Sequence, residues 1–118
     1  MEKTISVREL IDKAFDLCGY TRTNELNKQA ITAVNIIVSD IFYTLNKEGY
    51  TPITSLDDEI TFDERIINDV LPYGVAARIA ELEYDGEKQN IYAAYYNRKR
   101  LSLGGRGMIE DKLPRGDW

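Results

Sequence analysis

The chain holds 118 residues, of which 43% are hydrophobic and 30% charged; 20 carboxylates face 15 cations, and there is one cysteine and no histidine. That length predicts one domain with one ordinary core. The missing histidine excludes a Ser-His-Asp triad, a Cys-His dyad and a histidine-ligated zinc, and a single cysteine supplies neither an internal disulfide nor a thiolate cluster. The formal net charge of -5 argues against a general nucleic-acid binder, although local basic patches remain open. No apolar run approaches the roughly 20 residues of a bilayer span, and Met1 to Thr4 lack the start of a signal peptide. A soluble, cytoplasmically made protein is the expectation.

In chain order, Ser6 followed by Glu9 is a capping-box pattern, and Val7, Leu10, Ile11, Ala14, Leu17 and Cys18 recur at helical spacing up to Gly19. A first helix is predicted over 6–18, with Cys18 a small core residue. Apolar positions return at Leu26, Ala30, Ile31, Val34, Ile37, Val38, Ile41, Phe42 and Leu45 before Gly49, which predicts a long central helix over 25–48. Residues 50–63 read as a loop with room for two short strands around the acidic turn Asp57-Asp58-Glu59. That turn lacks the spaced oxygens and glycine of a calcium loop, so it reads as a solvated turn.

Asp63 is placed to cap a short turn through Ile66, Ile67, Val70 and Leu71, and Pro72 then opens a new helix. Val75, Ala76, Ile79, Ala80 and Leu82 form its expected buried face and Gly86 its stop; Ala76, Ala77 and Ala80 suit close helix contact. A last helix is predicted over 87–103, with Ile91, Ala94, Tyr95 and Leu101 inward, ending at Gly104, Gly105 and Gly107. The segment 104–118 reads as a flexible arm. The fold class is therefore all-α: a small four-helix domain over 1–103, with an irregular loop between the second and third helices, plus that arm.

Charge changes sign abruptly along the chain. Residues 57–87 carry ten carboxylates against two arginines, whereas 88–106 carry five cations and no carboxylate. One reading is a solvated helix pair; the other is a subunit whose acidic and basic flanks meet head to tail in neighbouring copies. Tyr73, Tyr84, Tyr92, Tyr95 and Tyr96 crowd the last two helices, more than one small core can bury, and tyrosine beside arginine is an interface composition. The candidate subunit interface is Asp57, Asp58, Glu59, Tyr92, Tyr96, Arg98, Lys99 and Arg100. A regulatory domain that contacts nucleic acid through Arg98, Lys99 and Arg100 is the alternative. No spacing singles out a catalytic carboxylate pair, and no cofactor or metal site emerges.

The order of elements, the loop Thr51-Pro52-Ile53-Thr54-Ser55-Leu56-Asp57-Asp58-Glu59-Ile60, the helix start Leu71-Pro72-Tyr73-Gly74-Val75-Ala76 and the closing Asn90-Ile91-Tyr92 to Tyr96-Asn97 are distinctive together. Over about residues 5–102 the chain resembles the small helical head-tail connector proteins of tailed bacteriophages, also called adaptor or head completion proteins. The resemblance implies a non-catalytic virion protein, made in a bacterial host or encoded by a prophage. It implies a ring of about twelve copies beneath the portal at the head-tail junction. That ring extends the DNA channel, binds no membrane, and presents a surface to the next connector or tail protein. DNA would pass without specific binding, and the acidic turn Asp57 to Glu59 would suit such a lumen. By position, 104–118 matches the terminal arm with which family members grip the portal. Arg106, Met108, Ile109, Leu113 and Trp118 are its candidate contacts, with Trp118 either a buried anchor or a chance residue at a frayed end.

Overall fold

The computed structural model describes residues 1–112, with side chains as far as Leu103. Four helices and a two-stranded sheet follow in the order β1 Glu2–Ser6, α1 Val7–Cys18, α2 Asn27–Thr44, β2 Glu59–Asp63, α3 Leu71–Leu82 and α4 Gly86–Lys112. This is the small four-helix architecture expected.

The start of α1 forms as its sequence dictates. Ser6 Oγ accepts from the Glu9 amide at 3.1 Å, and Gly19 closes the helix at φ 76°. Two further free amides, those of Val7 and Arg8, donate to the Asp58 and Leu56 carbonyls of the acidic turn at 2.9 and 3.0 Å. Asp58 holds that turn in shape, since its Oδ2 accepts from the Thr54 and Ser55 amides. The loop between α2 and α3 is thus the N-terminal cap of α1.

The strand pairing differs from a local hairpin. Residues 59–63 do form a strand, but its antiparallel partner is the start of the chain, with Ile5 opposite Ile60 and Thr4 opposite Thr61. Ile5, Ile60 and Phe62 point into the core, while the Thr4 and Thr61 hydroxyls meet at 2.7 Å outside. Before the acidic turn no second strand forms, because a side chain takes its place. The Asn35 carboxamide of α2 donates to the Ile53 carbonyl and accepts from the Ile53 amide, both at 2.8 Å, and also accepts from the Tyr50 hydroxyl. Ile53 has both backbone groups paired without a neighbouring strand.

Helix ends shift for similar local reasons. α2 stops at Thr44, four residues before the predicted end, because Asn46 adopts the left-handed conformation at φ 56° and the Lys47 amide returns to the Phe42 carbonyl. Residues 66–70 form a wide turn in which the Leu71 amide bonds the Ile66 carbonyl five residues back. The wider turn takes up Pro72, which has no amide and whose ring would crowd the carbonyl four residues before it, so the chain runs into α3 instead of breaking. Tyr84, at φ 57°, ends α3, and Gly86 opens α4 where a stop was expected; Asp85 caps α4 through the Lys88 amide at 3.2 Å. α4 also continues to Lys112, past Leu103 and through Gly104, Gly105 and Gly107. Glycine costs about 1 kcal/mol per helical position but does not forbid the conformation, and no proline intervenes before Pro114.

The central element is α3 rather than α2. Eight of its twelve residues are buried, and it touches α1, α2 and α4. A helix apolar nearly all round belongs in the middle. Cys18 is core as expected, its Sγ 3.4 Å from the Ala76 carbonyl of α3.

Candidate functional site

The face of α4 that packs on the bundle is not the one predicted, except at Tyr95. Ile91 and Leu101 are each 57% exposed and Ala94 is exposed as well. The inward stripe is Lys88, Tyr92, Tyr96 and Arg100, a run of four-residue steps whose apolar stems and rings lie along the bundle while their polar ends reach defined acceptors. Lys88 Nζ and the Tyr92 hydroxyl donate to the Cys18 and Leu17 carbonyls at the end of α1, both at 2.5 Å. Tyr96 is only 5% exposed and its hydroxyl donates to Asp40 at 3.4 Å. Its ring lies over Gly74 of α3, where an added Cβ would stand 2.8 Å from two ring carbons. Arg100 turns inward to Thr44 Oγ1 at 3.2 Å, with its guanidinium carbon 5.8 Å from the centre of the Tyr96 ring.

These contacts sort the candidate interface residues. Tyr92, Tyr96 and Arg100 belong to the packing of the fold, and Asp58 to the turn that caps α1. Asp57 is exposed and pairs with Arg8 at 2.9 Å. Glu59 sits exposed at the start of β2. Of the basic triplet only Arg98 is exposed and Lys99 is half-buried; the two lie 5.1 and 5.2 Å from the centre of the Tyr95 ring, which in turn stacks on Tyr73 at 4.2 Å. For the terminal arm, the Arg106, Met108 and Ile109 backbone continues α4. Their side chains, and all of Leu113 and Trp118, lie outside the described residues.

What remains on the outer face of α4 is a coherent stripe. Ile91, Ala94, Arg98 and Leu101 recur at helical spacing and are exposed, with half-buried Tyr95 and Lys99 along its margin. Of the four residues expected inward, Ile91, Ala94 and Leu101 are exposed, whereas Tyr95 is half-buried against Tyr73 of α3. The distinguishing signal is the four-residue step from Lys88 to Arg100, which lets long amphipathic side chains span a helix interface that aliphatic ones do not reach.

A second surface was missed altogether. Gln29, Thr32, Ala33 and Ile36 of α2 line a groove of about 330 Å³ with Arg78, Glu81 and Leu82 of α3. Ile36 and Leu82 are partly exposed there, although Leu82 was assigned to the buried face of its helix. Ile36 and Tyr43, seven residues apart, fall off the apolar stripe of α2, and that displacement was the available sign of an outward apolar face. Next to the Leu82 end of the groove, Glu81, Glu83 and Glu87 are exposed around the α3–α4 turn.

The acidic stretch ends in the first turn of α4, where Glu87 suits the helix dipole, whereas Arg98, Lys99 and Arg100 lie mid-helix, beyond its reach. Asp85 is engaged within the fold: Tyr20 donates to it at 2.7 Å, and this bond, with the Lys88 amide, holds the carboxyl below the usual carboxylate range. Among the described residues no group of three or more side chains is disposed to hold a metal ion, and no helix is long and apolar enough to cross a membrane. Compared with protein-family models, with curated proteins and with solved structures, the chain gives no match.

Proposed function

We propose that the chain is the repeating subunit of a phage head-tail connector, a ring beneath the portal that carries no catalytic step. The observation that most supports this reading is the outer stripe of α4. A small domain that already fills its core leaves Ile91 and Leu101 more than half exposed on one helix face, beside Tyr95, Arg98 and Lys99. Apolar and aromatic side chains rimmed by cations are the composition of a protein interface. The resemblance of residues 5–102 supplies the identity of the assembly, and the stripe supplies a physical reason for one.

The alternative, a regulator that binds nucleic acid through Arg98, Lys99 and Arg100, has less to draw on because Arg100 is directed at Thr44 and Tyr96. Co-sedimentation with the cognate purified portal, run beside a DNA-binding titration at two salt concentrations, separates the two. The connector reading expects portal-dependent sedimentation and weak DNA binding. Tight, steeply salt-dependent DNA binding without portal binding would replace it with the regulator.

A further inference from the structure

We infer that copies of this chain associate head to tail, with the outer stripe of α4 from one copy seated in the α2–α3 groove of the next. The inference rests on the ring reading above and names the surfaces that meet. Three observations carry it.

The shapes are complementary, since exposed Ile91, Ala94 and Leu101 form a ridge on a convex helix, whereas Ala33, Ile36 and Leu82 line a groove. The charges are complementary as well. Arg98 and Lys99 make no ion pair among the described residues, and the Leu82 end of the groove opens onto exposed Glu81, Glu83 and Glu87. Glu81 keeps a local bond to Arg78 at 3.4 Å, which leaves Glu83 and Glu87 to meet the incoming cations.

The third observation is separation. Arg98 lies twelve residues beyond Gly86 on one helix, which at 1.5 Å per residue is about 18 Å, so one copy cannot bring Arg98 onto its own Glu83 and Glu87. Two copies can. A symmetric pair of α4 stripes would also cover the ridge, but it leaves the groove open and stops at two copies. A ridge-in-groove contact covers both surfaces at once and propagates, closing when the rotation per copy allows.

A mixing experiment on the full chain tests this. Ile91→Lys with Leu101→Lys blocks the ridge, and Ile36→Lys with Glu83→Lys blocks the groove, and the two altered surfaces, both cationic, repel each other; all four positions are outside the core, so circular dichroism is expected to match the unaltered chain. In sedimentation velocity up to millimolar concentration, the unaltered chain is expected to self-associate, and each variant alone to do so about tenfold more weakly or less. An equal mixture of the two variants is expected to give one-to-one dimers and nothing larger, because one sound ridge and one sound groove remain between them. Self-association of the groove variant at unaltered strength, no dimer in the mixture, or an unaltered chain that is monomeric throughout would overturn the pairing. Portal-bound rings built equally well by both variants would overturn the pairing and keep the connector reading. Dimers in the mixture with no portal binding by the unaltered chain would do the reverse.

Discussion

Gly74 and Tyr96 show how closely single residues define the packing of α4. The absence of a side chain at Gly74 lets the Tyr96 ring lie against α3, and an added Cβ would meet Ile37 Cγ2 at 2.9 Å in addition to the ring. Gly74→Ala is therefore expected to destabilise the fold by about 1–3 kcal/mol, the usual cost of overpacking, measured as a fall in the urea midpoint at constant slope. Tyr20 offers a test with a pH signature. Its hydroxyl is the main cause of the depressed Asp85 pKa, so the folded state holds that proton less tightly than the unfolded one. A depressed carboxyl contributes stability that is complete above the unfolded value, about 3.9, and is lost as pH falls through the folded value. Tyr20→Phe is expected to be less stable than the unaltered chain at neutral pH. The difference should shrink as pH drops below about 4, where Asp85 protonates in both states; chemical unfolding across that range reads it. A gap that stays constant through that range would contradict this role for the hydroxyl.

At the scale of elements, what could be read from the sequence was whatever a residue decides within its own turn. Ser6 starts α1 and Gly19 ends it as predicted, and the existence and order of all four helices followed from their periodic apolar positions. What could not be read depended on distant partners. Glu59–Asp63 needed the start of the chain to become half of a sheet, and Ile53 lost its expected strand to the carboxamide of Asn35, eighteen residues earlier. The inward face of α4 was misread for the same reason: the alternatives Ile91 and Tyr92 differ by one residue in register, and only the carbonyls offered by the end of α1 decide between them. Asn35 carries a prediction of its own. Asn35→Ala removes both bonds to Ile53 and the acceptor for Tyr50, and is expected to cost about 2 kcal/mol. Hydrogen exchange should show the Ile53 amide losing protection before those of α1. Unchanged protection at Ile53 would mean that another group pairs that backbone.

For the whole molecule, the distinction between Arg100 and its two neighbours matters most. Arg98 is exposed and Lys99 half-buried, and neither makes an ion pair among the described residues, whereas Arg100 packs beside Tyr96 and Thr44. Reversing Arg98 and Lys99 to glutamate is expected to weaken assembly while leaving helical content and melting temperature nearly unchanged. Adding Arg100→Glu is expected to lower the melting temperature by several degrees, because it sets a carboxylate near Asp40. Equal stability of the double and triple variants would show that Arg100 has no part in the packing. The proposed contact between copies would supply the ion pair that Arg98 and Lys99 do not make among the described residues. The measurement that bears most directly on this account is electron microscopy of the full chain mixed with its cognate portal. The account predicts a closed ring coaxial with the portal, with an open centre, that is lost on Arg98→Glu with Lys99→Glu. Portal particles that stay bare when mixed with the folded, unaltered chain would contradict it.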